Sequence, residues 1–297
     1  MAFPGGKPHG GERPPDRTTR ALLSGLDRLP LWTIRAIRFL RGRSPLLTRA
    51  AERLTARAAG SVGVIARGPG AGLKFNPAGT MLECILGTWE GEVQDVLAER
   101  CEDGDVVYDV GANVGFHALI AARLVGPTGR VYAFEPLPGS VLAIQENAAR
   151  NDLDHIEILE TALGARSGTA IMQLGDNLAH ARLLATADQV RSREAVAVGM
   201  QTHTVEVALE TVDRLIAHGL RPPTLVKIDV EGAELDVIAG MAETLRTIRP
   251  AVLCELHGTN QGYVDLMSSI GYETVALDDR RPVERAHWNV HTLALPV

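Results

Sequence analysis

Val106-Val107-Tyr108-Asp109-Val110-Gly111-Ala112-Asn113-Val114-Gly115 decides the fold of this chain. A short apolar run ends in an acid and two glycines four residues apart, and an apolar helical pattern, Phe116 to Val125, follows at once. A buried strand that breaks into a Gly-rich turn and then opens a helix is the entry to a nucleotide site. Glycine lets the backbone approach a ligand closely, and the helix N-terminus presents free N–H groups. The spacing is Asp-x-Gly-x-Asn-x-Gly, not Gly-x-Gly-x-x-Gly. Asp109 would repel a pyrophosphate and suits a ligand with an ammonium group, such as the methionyl end of S-adenosylmethionine. Asp109, Gly111, Asn113 and Gly115 are therefore candidate cofactor-binding residues.

Arg130-Val131-Tyr132-Ala133-Phe134-Glu135 is a second apolar run ending in an acid, 24 residues past Gly111. The acid closing the second strand of a Rossmann-like sheet reaches the ribose hydroxyls, at a typical spacing of about 20 residues. Glu135 takes that role, and Pro136 stops the strand because it has no N–H for a ladder. Outward from this pair the chain alternates strand and helix. Strands are expected over Val106–Val110, Val131–Glu135, Ile156–Glu160, Leu225–Val230 and Ala251–Leu256. Helices are expected over Phe116–Val125, Ser140–Asn151 and Ala233–Thr247, and around Gly262–Ile270, with strands near Glu273–Ala276 and Asn289–Ala294 finishing the chain. Such alternation predicts an α/β fold with a doubly wound parallel sheet. Before the core, residues 61–82 read as a hairpin or two short strands, and a helix capped by Thr88 runs to Ala98. Between Gly168 and Asp213 the pattern loosens, and alternating segments at Thr169–Gln173 and Ala195–Val205 suggest strands in an insertion.

Leu225-Val226-Lys227-Ile228-Asp229-Val230-Glu231-Gly232-Ala233-Glu234 places a lysine inside an apolar strand that ends in two acids and a glycine. Ligands of open α/β sheets bind outside the carboxyl ends of the strands, so Asp229 and Glu231 belong at the crevice. Glu255 and His257 repeat the arrangement on the next strand. An acid and a histidine converging on one rim could deprotonate a hydroxyl or could hold a metal. Asp229 and His257 are assigned as candidate catalytic residues, and no metal is assigned. A lysine within a strand needs a partner, and a neighbouring acid would supply it.

Four blocks in this order resemble the FkbM-type family of methyltransferases that use S-adenosylmethionine. They are Asp109 to Phe116, Ala133-Phe134-Glu135-Pro136, Lys227 to Glu234, and Arg249-Pro250 with Glu255-Leu256-His257. The resemblance covers about Gly87 to Val297. It implies a class I methyltransferase sheet of seven strands with a final antiparallel strand. It also implies S-adenosylmethionine as cofactor and O-methylation of a sugar or a polyketide-like metabolite, so the partner is a small-molecule or glycan acceptor. On this reading Asp109 and Gly111 to Gly115 cradle the methionyl part, Glu135 holds the ribose, and Thr161 and Ala162 flank the adenine. Trp89 and Glu90 are placed to close over the cofactor. Two alternatives stay open: a NAD-type oxidoreductase on a similar sheet, and a non-catalytic module tethered through the N-terminal region.

Composition bounds the partners. Apolar residues are 45% and charged residues 22% of the 297 residues, a soluble globular profile. Cys84, Cys101 and Cys254 are too few and scattered for a disulfide framework or a cysteine zinc site, which favours a reducing, cytoplasmic compartment. The net charge of −6 conceals an asymmetry, since residues 1–60 hold 12 Lys and Arg against 4 Asp and Glu. The remaining domain is strongly acidic and a poor partner for nucleic acid. Residues 1–20, rich in Pro, Gly and Arg, read as a disordered tail. Residues 21–59 read as a basic amphipathic helical extension, with Leu31, Ile34 and Ile37 at helical spacing and Arg35, Arg38 and Arg41 interleaved. Such a helix packs on the main domain or makes peripheral contact with an anionic membrane. Residues 60–297 form the catalytic domain.

Overall fold

The central strand is continuous in its burial because both its faces are covered. In the computed structural model, β3 (Val106–Val110) has every residue buried, between the parallel strands β4 (Arg130–Phe134) and β10 (Leu225–Ile228). Parallel strands covered on both faces read as near-continuous apolar runs, and this is why the sequence pattern located them. The structure describes residues 62–78, 82–173, 182–186 and 204–297. The expectations for residues 1–20 and 21–59, and most of the strand expected at Ala195–Val205, fall outside them.

The described residues divide into two compact units, residues 62–67 with 71–78 and 82–89, and residues 68–70 with 90–173, 182–186 and 204–297. In the first, β1 (Gly63–Val64) and β2 (Lys74–Phe75) form the expected antiparallel pair, followed by the short helix α1 (Leu82–Leu86). The second begins with α2 (Gly91–Arg100). This corrects the expected helix start: Thr88 is not its cap, and Glu90 takes the N-cap position in a left-handed conformation, φ 44°.

The second unit carries a seven-stranded sheet. After β3, α3 (Phe116–Val125), β4 and α4 (Pro138–Ala149) lead to β5 (Ile156–Leu159). The chain returns through α5 (Val212–Ala217), β10, α6 (Glu234–Ala239), α7 (Ala242–Thr247), β11 (Ala251–His257), α8 (Asn260–Ser269) and β12 (Tyr272–Ala276). It ends in β13 (Asn289–Pro296), which is antiparallel to both β11 and β12. The spatial order is β12-β13-β11-β10-β3-β4-β5, so the doubly wound sheet with a final antiparallel strand is present as expected. The order reverses between β3 and β10, and the crevice of an open sheet lies at such a reversal.

The helix expected over Ala233–Thr247 is two helices. A Cβ on Gly240 would lie 2.0 Å from the carbonyl oxygen of Gly164, so the backbones approach too closely there for any side chain. Strands from the loosely patterned insertion, with one short strand that precedes it, form a separate sheet of order β6-β9-β7-β8. These are β6 (Ala162–Leu163), β7 (Gly168–Gln173), β8 (Arg182–Thr186) and β9 (Thr204–Glu210). Tyr108, Val226, Ile228, Cys254, Leu256 and Tyr263 centre the main core. No helix among the described residues is long and apolar enough to cross a membrane.

Candidate functional site

The turn after β3 is shaped by three residues with positive φ: Gly111 at 80°, Asn113 at 51° and Gly115 at 87°. Gly111 is obligatory, because a Cβ there would lie 1.9 Å from the carbonyl oxygen of Asp229. The turn opens onto a cleft at the carboxyl ends of the strands. Gly111, Asn113, Glu135, Thr161, Ala162 and Asp229, all expected at the site, line it. Leu137, Leu163 and Met172, from α4's entry and the second sheet, supply apolar walls. They were not foreseen, because their place depends on how the insertion folds back.

Glu135 is held by its neighbours. The N–H of Leu137 donates to its Oε1 and that of Asn113 to its Oε2, both at 2.9 Å. Each oxygen keeps a lone pair for a further donor. Burial pushes the Glu135 carboxyl up to about 7, against these two N–H groups, which lower it. A carboxylate fixed in this way matches a vicinal diol.

Asp109 and Gly115 are placed differently from the expectation. Asp109 is 1% exposed and does not line the cleft. Its Oδ1 lies 3.4 Å from Lys227 Nζ, the partner that the buried lysine required. Strand register explains the pairing, since Asp109 and Lys227 are opposite one another on β3 and β10. Asp109 is therefore held against Lys227 behind the cleft lining. Gly115 also stands outside the cleft and packs near Ile144 and Leu119, so it serves the turn. Glu90 likewise does not line the cleft.

Lys227 also reaches Asp229, with Nζ 3.5 Å from Oδ2. Burial raises the Asp229 carboxyl to about 6, with Lys227 opposing and Glu255 reinforcing the shift. His257 is anchored by Glu234: its Nδ1 lies 2.9 Å from Oε1, while Thr259 Oγ1 and the Gly232 N–H also donate to that carboxylate. Burial would raise the Glu234 carboxyl, but these donors hold it below its ordinary value. His257 Nε2 lies 3.6 Å from Glu231 and 3.7 Å from Glu255. Burial would lower the His257 imidazole, yet Glu234 and the surrounding carboxylates raise it to about 9. His257 thus keeps its proton at neutral pH. Both candidate catalytic residues therefore stand on this rim, Asp229 with its carboxyl raised and His257 with its imidazole raised.

A second cluster adjoins the first. Glu90, Glu255 and His291 offer ligand atoms within 4.8 Å of one another, as do Asp229, Glu255 and His257. Burial pushes the Glu90 carboxyl up to about 8, reinforced by Asp229. Sequence reading named Glu90 only as a residue closing over the cofactor and did not find His291, since their meeting needs the strand register and the packing of α2.

With this geometry in hand, comparison with known proteins is specific. Residues 109–274 match the methyltransferase FkbM domain family. The hexuronic acid methyltransferase AglP of Haloferax volcanii is 30% identical over 176 residues, 57% of this chain and 62% of that protein. The 31-O-demethyl-FK506 methyltransferase FkbM of Streptomyces tacrolimicus is 30% identical over 223 residues, 64% of this chain and 85% of that protein. The 2-O-methyltransferase NoeI of Sinorhizobium fredii is 29% identical over 149 residues, 48% of this chain and 60% of that protein.

Proposed function

The chain belongs to the methyltransferase FkbM domain family, and we propose that it is an O-methyltransferase acting on a hydroxyl of a sugar or a polyketide-like small molecule. The cofactor of such an enzyme is S-adenosylmethionine, and the residues present fit it. Glu135 offers two oriented oxygens for the ribose diol, Thr161 and Ala162 flank the apolar wall of the cleft, and Gly111 and Asn113 line the turn. When bound, the cofactor supplies a methyl group that is already electrophilic, so the protein has two tasks: aligning an acceptor oxygen and removing its proton.

The observation that carries this reading is Asp229. It lines the cleft at the end of β10, and its carboxyl, at about 6, is ionised at neutral pH yet close enough to neutrality to take a proton. Lys227 holds it in place from behind. His257, carrying its proton, adds a positive charge beside the acids of this rim. Acidic hexuronates and neutral sugars are the first acceptors to test, because relatives named for hexuronic acid and for 2-O-methylation stand beside the FK506 enzyme.

The test is transfer of radiolabelled methyl from S-adenosylmethionine to a panel of sugars, uronates and macrolide alcohols. Asp229→Asn should lower turnover by roughly 10²–10⁴, the range for a lost general base, and leave cofactor affinity within a few fold. Normal turnover with weak cofactor binding in that variant would move Asp229 to the cofactor. Label found on an amine and never on a hydroxyl would overturn the O-methylation reading.

A further inference from the structure

We propose that Glu90, Glu255 and His291 form a binding site for a divalent transition-metal ion, best suited to zinc. The fold builds the site from two strands and a loop. Glu255 on β11 and His291 on β13 are direct partners in the antiparallel register, so their side chains stand side by side. Glu90 is delivered from the turn ahead of α2.

The three ligand atoms lie at ion-pair distance, longer than a good hydrogen bond and close to the spacing of ligands around one cation. His291 Nε2 lies 3.6 Å from Glu255 Oε2 and 3.8 Å from Glu90 Oε2. A good N–H···O bond needs 2.7–3.2 Å. A tetrahedral ion with bonds of about 2.1 Å separates its ligand atoms by about 3.4 Å. Glu90 Oε2 and His291 Nε2 are buried and have no hydrogen-bond partner, and the Glu90 side chain is 9% exposed. Native structures seldom bury polar atoms in that state without an ion or water to satisfy them.

The outer partners point the same way. His291 Nδ1 lies 2.9 Å from Asp278 Oδ2, so the ring donates there and turns Nε2 toward the two carboxylates. Carboxylate, histidine and metal in line is the usual support of a histidine ligand. His117 Nε2, also buried without a hydrogen-bond partner, lies 3.5 Å from Glu90 Oε2 beside the three ligands. Imidazole nitrogen mixed with carboxylate oxygen in a small, dry site suits zinc, whereas magnesium keeps several waters and prefers oxygen alone. Glu255 would tie the ion to the acceptor rim, because its other oxygen faces His257 at 3.7 Å.

The test uses the full, untagged chain stripped with EDTA and dialysed, titrated with zinc chloride by calorimetry. One zinc per chain should bind, the melting temperature should rise with zinc, and cobalt(II) in its place should give the visible absorption of a tetrahedral site. Glu90→Gln and His291→Gln, shown folded by circular dichroism, should each weaken zinc roughly tenfold or more, and His257→Gln should change it little. Absence of stoichiometric zinc overturns the proposal, as does unchanged affinity in Glu90→Gln and His291→Gln. Loss confined to His257→Gln also overturns it, by moving the ion to Asp229, Glu255 and His257. If neither variant folds, the cobalt spectrum of the unmodified chain decides. A parallel titration of S-adenosylmethionine keeps failure of this site separate from failure of the methyltransferase reading.

Discussion

Lys227 Nζ and Asp109 Oδ1 stand 3.4 Å apart across two neighbouring parallel strands, both side chains almost wholly buried. Burial opposes a charge on Lys227, but Asp109 and Asp229 hold its ammonium firmly protonated. Removing one partner of a buried ion pair strands the other charge, at a cost of about 3–5 kcal/mol. Lys227→Met should therefore destabilise the protein by about that amount, read by urea unfolding. Adding Asp109→Asn to it should restore part of the loss, as coupled neighbours do. A double variant no more stable than the single one would show that the pair is not coupled.

Glu135 links cofactor affinity to pH. Its carboxyl is raised to about 7, so it ionises as pH passes through neutrality and becomes the better acceptor for ribose hydroxyls. S-adenosylmethionine should bind more tightly at pH 8 than at pH 6. Stability of the ligand-free protein runs in the opposite direction: a raised carboxyl favours folding below its ordinary value of 4.5, and that contribution is lost as pH rises through about 7. Glu135→Gln should flatten both dependences, and Glu135→Ala should weaken the cofactor at least about tenfold. Calorimetry at the two pH values checks this.

Glu234 governs the proton on His257. The Nδ1–Oε1 contact of 2.9 Å is the main influence holding the imidazole up at about 9 against burial. A histidine raised in this way contributes stability that is fully present below 6.5 and is lost as pH rises through about 9. In the EDTA-treated chain, Glu234→Gln should move the NMR titration of His257 downward and shrink the loss of melting temperature between pH 6.5 and 9. An unmoved titration would mean that the other carboxylates suffice.

Gly240 lies between α6 and α7, and the carbonyl of Gly164 lies where its side chain would be. Overpacking costs about 1–3 kcal/mol, and a backbone oxygen cannot yield as a side chain can. Gly240→Ala should lower unfolding free energy by at least the upper part of that range, and Gly91→Ala, with open space around its Cβ and no left-handed backbone, should cost less.

The sheet was readable from sequence wherever burial on both faces leaves an unbroken apolar run, as in β3, β4, β10 and β11. Glu135, Thr161, Ala162 and Asp229 were readable as site residues because the carboxyl ends of such strands must face the crevice. What stayed hidden depends on contacts between distant segments. Glycine at position 240 is required by the approach of Gly164, and Asp109 is paired across the strands with Lys227. The protonation of His257 needed Glu234, which was visible in the motif but not as a neighbour. Nothing local in the sequence marks His291 for its meeting with Glu90.

The two sheets divide the cleft between them. Glu135 and Asp229 stand at the ends of the main sheet, while Leu163 and Met172 belong to the smaller one. The carboxylates of the cleft and part of its apolar wall therefore come from different sheets. Substitutions along β7 can reshape the wall that an incoming molecule meets while the carboxylates at the floor keep their settings. Such a division lets a lineage change its clientele by tinkering at one surface, without rebuilding the chemistry each time.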